Sequence, residues 1–245
     1  MESPAPTRRV ERVRHELRRR ALEVVRTERL GPGFVSITFG GEELDGFVSA
    51  SFDDHVKFML GEGTDDPVRR DYTPRRYDAA ARELTIEFAV HAHGRTSDWA
   101  RQARVGDRVL VGGPRGSFIV PLDYDWHLLA GDATALPAIR RRLEELPAGA
   151  RAIVLAQVEP GDRVPFVTQA KVDVYWVDTP EALLDAVSGL ELPQGEGFAW
   201  AGGEAAVMAA LRGILREQHG LAKEQMRIAA YWKRGASAHH ENLED

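Results

Sequence analysis

The chain has 245 residues, a formal net charge of −6 and no cysteine. The missing cysteines exclude disulfides, zinc–thiolate centres, iron–sulfur clusters and thiol nucleophiles, and the acidic balance disfavours a nucleic-acid partner. No apolar run is long enough for a membrane span, and the basic start lacks the apolar stretch of a secretory signal. We therefore expect a cytoplasmic protein and take it to be a monomer.

The N-terminal segment is strongly basic. Residues 8–20 contain seven arginines, which favours a solvated helix or a disordered arm over a contact with a polyanion. We assign residues 1–20 as a basic N-terminal arm.

The first half of the chain has the period of antiparallel strands. Apolar and polar residues alternate over residues 35–39, 56–60 and 84–90, and glycine and proline separate these runs. Alternation places one face of each strand on a core and the other toward solvent or a ligand. Several short strands at this spacing predict an antiparallel β-barrel over residues 21–122.

The second half contains short and nearly continuous apolar runs. They cover residues 128–130, 153–156, 172–177, 198–201 and 228–231. Such runs are typical of strands buried on both faces of a parallel sheet.

Helical patterns lie between these runs. Apolar stripes occur over residues 136–146 and 208–215, and Thr179 before Pro180 forms a good helix start. The alternation of strand and helix predicts an open parallel α/β sheet over residues 123–245.

The segment around residue 70 carries the strongest chemical signal. The guanidinium of Arg70 suits a phosphate, the ring of Tyr72 can stack on a flavin, and Thr73 can hydrogen-bond its edge. Arg75 suits a second phosphate or a ribose. The alternative is a polar strand with exposed arginines.

A second candidate segment follows the strand at residues 84–90. Gly94 allows a close approach of the backbone to a pyrophosphate. Thr96 and Ser97 precede a short helix and can cap its phosphate-binding N-terminus, or serve as plain caps. His91 and His93 can share a strand face, but no third ligand is evident, so we expect no metal site.

Two strand-to-helix turns in the second half lie where open α/β sheets bind ligands. Asp132 and Thr134 follow the first parallel strand, where Asp132 either lies near a flavin or nicotinamide or caps the next helix. Gly202 and Gly203 allow a nucleotide to approach the backbone. Glu204 either contacts a ribose or lies in the first turn of a helix.

The last predicted parallel strand ends in Tyr231, Trp232, Lys233 and Arg234. Two aromatic rings beside two cations suit an anionic aromatic partner, either a nucleotide or a catecholate-type ferric siderophore. The alternative is an exposed basic strand end.

Together these segments resemble the siderophore-interacting proteins, which are flavin-dependent ferric-siderophore reductases of the ferredoxin-reductase-like superfamily. The resemblance runs from about residue 22 to the C-terminus and rests on residues 70–75, 93–100, 113–118, 130–139, 200–205 and 231–235. His239 and His240 resemble the family's usual ending.

The resemblance implies a flavin-binding barrel, an NAD(P)H-binding α/β domain, FAD as cofactor, and NADPH or NADH as electron donor. It also implies a ferric siderophore as substrate, which would release Fe(II) on reduction. The implied cofactor-binding residues are Arg70, Tyr72, Thr73, Arg75, His91, His93, Gly94, Thr96, Ser97, Asp132, Thr134, Gly202, Gly203, Glu204, Tyr231 and Trp232. Lys233 and Arg234 are the implied substrate-binding residues.

Two other functions stay open at this point. One is a general NAD(P)H:flavin or quinone reductase. The other is a ferric-siderophore binding protein without redox activity.

Overall fold

The computed structural model describes residues 9–90, 94–235 and 241–242. The chain forms two compact units. The barrel unit is Glu11–Val120, and the α/β unit is Pro121–Asp245 together with residues 9 and 10. Among the described residues, no helix has both the length and the apolar character needed to cross a membrane.

The barrel unit is a curled antiparallel sheet of seven strands in the order β5-β4-β8-β2-β3-β7-β6. These strands are β2 (Arg19–Gly31), β3 (Phe34–Gly40), β4 (Val56–Leu60), β5 (Val68–Tyr72), β6 (Arg76–Asp78), β7 (Glu83–Ala89) and β8 (Arg108–Gly112). One helix, α1 (Arg95–Gln102), follows β7. The prediction of an antiparallel barrel-like first half is confirmed.

The predicted alternation produces the core of this unit. Val35, Ile37 and Phe39 of β3 pair with the β7 residues Phe88, Ile86 and Leu84, and all six side chains are buried. Burial of such apolar side chains contributes roughly 1.5–3 kcal/mol for each one and stabilises the sheet against its core.

The N-terminal basic segment differs from the expected helix or disordered arm. Among its described residues, β1 (Glu11–Arg14) pairs antiparallel with β9 (Gly116–Ile119), and β2 already begins at Arg19. The guanidinium of Arg12 lies 5.3 Å from the ring centroid of Phe118. The aliphatic stem of arginine tolerates an extended strand with an exposed charge, and composition alone does not reveal the pairing partner.

The α/β unit is a six-stranded sheet in the order β12-β11-β10-β13-β14-β15. Its strands are β10 (Trp126–Asp132), β11 (Arg151–Gln157), β12 (Lys171–Val177), β13 (Gly197–Glu204), β14 (Met226–Trp232) and β15 (Glu241–Asn242). Its helices are α2 (Leu136–Glu145), α3 (Pro180–Ser188) and α4 (Ala205–Glu217). Strands β10 to β14 run parallel, which confirms the predicted parallel sheet.

One strand of this sheet is less buried than its sequence predicts. Residues 172–177 were expected to be buried on both faces, but β12 lies at the edge of the sheet and is largely exposed. Tyr175 is 49% exposed, and Trp176 stacks on Phe166 with ring centroids 5.4 Å apart. An apolar run therefore identified the strand but not its edge position.

Two buried basic side chains tie the start of the α/β unit together. Arg142 on α2 donates to the carbonyl oxygen of Pro121 at 2.6 Å, and His127 on β10 lies 3.4 Å from the carbonyl oxygen of Leu122. Burial, and after it the nearby charge of Arg142, lower the pKa of His127 to about 4. Burial also lowers the pKa of Arg142 to about 10.

The strand order places a switch point between β10 and β13. The chain moves outward from β10 to β11 and β12, then returns to the other side of β10 with β13 and β14. Open α/β sheets bind ligands outside the carboxyl ends of the strands at such a point. The residues at the ends of β10, β13 and β14 are therefore the structural candidates for a ligand site.

Candidate functional site

In the barrel unit, the segment from Arg70 to Arg75 begins on β5 and continues into the loop before β6. Arg70 is half-exposed, and its guanidinium donates to the carbonyl oxygen of Arg69 at 2.9 Å. Thr73 and Arg75 are buried. The segment therefore presents Arg70 toward solvent and turns Arg75 into the unit.

Tyr72 is fixed by aromatic neighbours. Its ring centroid lies 4.5 Å from that of Phe88 and 5.8 Å from that of Phe58. Burial raises the pKa of Tyr72, although the charge of Arg70 and a hydrogen bond with Thr96 act in the opposite direction. The phenol thus stays protonated at neutral pH and keeps a fixed ring orientation.

Arg75 forms an ion pair that the sequence did not reveal. Its Nε lies 3.1 Å from Oε1 of Glu87, and both side chains are buried. The alternating pattern of β7 had placed Glu87 on a face turned to solvent or a ligand. The charge of Arg75 is thus already balanced inside the protein, which reduces what it can offer to a ligand phosphate.

The second candidate segment is described only from Gly94 onward, because His91 and His93 lie outside the described residues. Gly94 is the N-cap residue of α1 with φ 140°, a conformation that favours glycine. Thr96 and Ser97 lie buried within the first turn, so they are not the N-cap residues that the sequence suggested.

These residues fit a flavin nucleotide in two respects. Gly94 has no side chain with which to cap the first turn of α1, whose N–H groups and positive dipole end suit a phosphate. Arg70 adds a half-exposed guanidinium on β5, the strand that also carries Tyr72.

In the α/β unit, the carboxylate of Asp132 joins the ends of three parallel strands. Its Oδ1 accepts hydrogen bonds from the backbone N–H of Thr134 at 2.8 Å and from Oγ1 of Thr134 at 2.5 Å. Its Oδ2 accepts from the backbone N–H of Glu204 at 3.0 Å and from Nε1 of Trp232 at 2.8 Å. Asp132 therefore caps the turn before α2 and also holds residues of β13 and β14.

Glu204 caps the helix that follows it. Its Oε2 accepts from the backbone N–H groups of Ala206 at 2.7 Å and Val207 at 3.1 Å, and its Oε1 accepts from that of Arg234 at 3.2 Å. Burial alone would raise the pKa of Glu204, but these backbone hydrogen bonds outweigh it and lower the pKa. Of the two roles left open by the sequence, the structure displays the helix-terminal one.

The two glycines before Glu204 lie against protein groups. A Cβ atom at Gly203 would lie 2.7 Å from Oδ2 of Asp132, and one at Gly202 would lie 3.1 Å from the ring of Tyr231. Any larger residue at 203 would therefore displace the Asp132 carboxylate.

The end of β14 supplies the exposed groups at this edge. Tyr231 is half-buried and packs edge-on against Trp200, with ring centroids 6.2 Å apart. Trp232 is 36% exposed, and Lys233 and Arg234 are exposed. Within the described residues, no group of histidine, cysteine or acidic side chains could hold a metal ion.

Comparison with known proteins identifies both halves of the chain. Residues 124–235 match the family model described as siderophore-interacting protein. Residues 23–64 and 61–118 match the model described as siderophore-interacting FAD-binding domain.

Three relatives extend over nearly the whole chain. An NADPH-dependent ferric-chelate reductase from Escherichia coli is 39% identical, with 91% of this chain and 96% of the relative covered. The ferric vibriobactin reductase ViuB from Vibrio cholerae is 32% identical, with 91% and 93% covered. The crystal structure of a siderophore utilization protein from T. fusca is 34% identical, with a TM-score of 0.86 and 96% and 98% covered.

Proposed function

Because this chain belongs to the siderophore-interacting protein family, we propose that it is an FAD-dependent oxidoreductase that uses NADPH or NADH to reduce ferric siderophores. The observation that carries this proposal is the pairing of an FAD-binding domain with a siderophore-interacting domain in one chain. The NADPH-dependent relative from Escherichia coli favours NADPH over NADH.

The overall reaction balances without any other reactant. One NADPH gives up a hydride, which carries two electrons, and two Fe(III) ions each accept one electron, leaving NADP⁺, a proton and two Fe(II) ions. Oxygen-rich chelators are hard ligands and hold Fe(II) less tightly than Fe(III), so reduction releases the iron. FAD, when bound, supplies the conversion between a two-electron donor and a one-electron acceptor.

In this proposal the barrel unit binds and orients the flavin nucleotide. Arg70 contributes a charge-assisted hydrogen bond to a phosphate, and the first turn of α1 after Gly94 contributes backbone N–H groups. Tyr72 contributes a ring whose orientation is fixed by Phe58 and Phe88. The phenol of Tyr72, whose pKa is raised by burial, is neutral at neutral pH and adds no negative charge beside the flavin.

The α/β unit, in this proposal, binds the nicotinamide nucleotide at the carboxyl edge of its sheet. The exposed side chains of Lys233 and Arg234 attract anionic ligands and raise the rate at which they encounter the protein. Reduction needs no protein nucleophile or general base, which agrees with a chain that has no cysteine.

A visible spectrum of the purified protein tests the proposal. We expect a flavin spectrum that bleaches on anaerobic addition of NADPH and returns on addition of a ferric siderophore, while an Fe(II) chelator develops its colour. Reoxidation by a quinone but not by ferric siderophores would make the protein a quinone reductase. A colourless protein that binds a ferric siderophore and takes up no FAD would make it a binding protein.

We also propose that the protein acts as a cytoplasmic monomer. Sedimentation of the FAD-loaded protein measures its mass, and cell fractionation measures its location. A dimer mass or a membrane-associated fraction would contradict this part of the proposal.

A further inference from the structure

The hydrogen bonds of Asp132 leave it little capacity for a ligand. Its two carboxylate oxygens accept four hydrogen bonds, which is about the full capacity of the group. Glu204 likewise accepts three, all from backbone N–H groups. Asp132 is therefore not suited to receive a ribose hydroxyl, and Glu204 has about one acceptor position left, although both lie at the edge where a nucleotide is expected.

Helix capping accounts for only one of the two carboxylate oxygens of Asp132. The cap before α2 occupies Oδ1, through Thr134. The other oxygen bonds to Glu204 and Trp232, which are far away in the chain and end two other strands. Oδ2 thus serves to connect strands, and its partner on β14 is the side chain of an aromatic residue.

These bonds fix a short segment at the sheet edge from two sides. Asp132 holds the indole of Trp232 through Nε1, and Glu204 holds the backbone of Arg234. We name residues 232–234 the aromatic–cationic strip. Its ring position and its backbone are both set by buried or partly buried carboxylates, while its three side chains are exposed.

The position of the Trp232 ring follows from the strand order. Trp232 ends β14, β13 lies between β14 and β10, and Asp132 ends β10. To reach Asp132, the indole must extend across the end of β13 toward the switch point between β10 and β13. That point is where open α/β sheets of this strand order bind dinucleotides.

We propose that Asp132 and Glu204 are positioning residues for dinucleotide binding: they hold the aromatic–cationic strip at the switch point, and the Trp232 ring forms the surface on which a ring of NADPH packs. This inference rests on the proposed function and assigns the two carboxylates a role through Trp232 rather than through direct contact. A ferric siderophore on the same ring is the competing occupant that the experiment separates.

The test uses FAD-loaded protein and three variants. Trp232→Phe keeps an aromatic ring but loses the Nε1 donor. Asp132→Asn replaces one of the two acceptor oxygens with an N–H₂ group, so that either the Thr134 donors or the donors of Glu204 and Trp232 lose their acceptor. The third variant combines both changes. Trp176→Phe is the matched control, because Trp176 lies on the edge strand β12 and stacks on Phe166 away from these residues.

The decisive measurement is the Kd of NADP⁺ by calorimetry, with KM for NADPH and kcat measured alongside. We expect each single change to raise the Kd roughly tenfold, as for loss of one hydrogen bond to a charged group. The double variant should bind NADP⁺ about as weakly as Asp132→Asn alone, not a further tenfold more weakly, because Asp132→Asn already disturbs the bond that Trp232→Phe removes. At saturating NADPH, kcat should stay within about twofold of the parent, and Trp176→Phe should leave every value unchanged.

Several results would overturn the inference. Unchanged NADP⁺ affinity in folded Trp232→Phe would show that the hydrogen bond from Nε1 of Trp232 to Asp132 has no role in nucleotide binding. This result would count even if Asp132→Asn failed to fold. A lower Tm and a lower kcat with unchanged NADP⁺ affinity would indicate a purely structural role. Weaker binding of a ferric siderophore with unchanged NADP⁺ binding would assign the ring to the siderophore.

The inference and the proposed function fail in different ways. If NADPH bleaches the flavin of the parent protein while the variants bind NADP⁺ as tightly, the function stands and the inference is wrong. If the parent protein binds neither NADP⁺ nor NADPH, the proposed function fails and the inference falls with it.

Discussion

Two sites, one in each unit of this protein, accommodate buried ionisable groups in different ways. In the barrel unit, Arg75 and Glu87 lie side by side and neutralise each other. In the α/β unit, Asp132 has neutral N–H and O–H donors around it, and His127 avoids charge through a lowered pKa. Loss of one partner of a buried ion pair leaves the other charge without its counter-charge, whereas a carboxylate that accepts from neutral donors depends on the positions of several of them.

The largest effect should come from breaking the ion pair. Arg75→Ala leaves Glu87 buried without its counter-charge, and we expect the free energy of unfolding to fall by about 3–5 kcal/mol. Urea denaturation measures this. The matched control is Arg108→Ala, since Arg108 pairs with Glu23 on the exposed side of the same sheet, and it should cost less than about 1 kcal/mol.

A second change sharpens this comparison. If Arg75→Ala acts by stranding a charge, adding Glu87→Gln should recover part of the lost stability. Equal losses from Arg75→Ala and Arg108→Ala would show that burial of the pair has no energetic consequence, and the contrast between the units would disappear.

The stability of the α/β unit should depend on pH through His127. The pKa of His127 is about 4 in the folded protein because of burial and Arg142, and about 6.5 in an unfolded chain. The unfolded state therefore binds a proton first as the pH falls. Stability from this group is complete above pH 6.5 and is lost toward pH 4, by about 3 kcal/mol.

His127→Gln isolates this effect because glutamine does not titrate. Urea denaturation at several pH values between about 7 and 4 should show a steeper loss for the parent than for the variant. Parallel curves for the two proteins would mean that His127 gains its proton equally in both states.

The next effect concerns the proposed flavin contact of Arg70. Arg70 is half-exposed, and its guanidinium donates to the neutral carbonyl oxygen of Arg69. A charge-assisted hydrogen bond contributes roughly 1.5–3 kcal/mol, so Arg70→Ala should weaken FAD binding by about ten- to a hundredfold. Flavin fluorescence on titration measures the Kd, with Arg70→Lys as the variant that keeps the charge.

Two different measurements distinguish the roles of Arg70 and Arg75. Arg70→Ala should lower FAD affinity with little change in the urea midpoint of the flavin-free protein. Arg75→Ala should lower that midpoint first. Full FAD occupancy and unchanged affinity in Arg70→Ala would contradict the assignment of Arg70.

The sequence was sufficient for the fold wherever periodicity decided the outcome. Alternation predicted β3, β4 and β7, and apolar runs predicted all five parallel strands, because burial imposes those patterns directly. It did not predict that β12 lies at an edge or that β1 pairs with β9. Those outcomes depend on pairing partners that no local pattern encodes.

The candidate site was predictable by residue type but not by role. Arginine, aromatic and acidic residues at strand ends predicted a ligand site at these edges. Whether Asp132 faces a ligand or the Nε1 of Trp232, 100 positions away, depends on the tertiary structure. The same holds for Glu87, which the strand pattern placed on an open face although it lies buried beside Arg75.

The smallest predicted effect tests a neutral-donor contact at the surface of the α/β unit. Oγ1 of Thr179 accepts a hydrogen bond from the backbone N–H of Ala182 at 3.1 Å and caps α3. Thr179→Ala removes this acceptor and should lower the free energy of unfolding by about 1 kcal/mol, while Thr179→Ser should keep most of it. Urea denaturation followed by tryptophan fluorescence measures both, and the loss should be the same at pH 7 and pH 5 because no titrating group is involved.

A pH-dependent loss, or equal losses from alanine and serine, would mean that the cap acts through something other than the hydroxyl acceptor. A constant loss would separate simple dipole contacts in this unit from the proton-linked burial of His127.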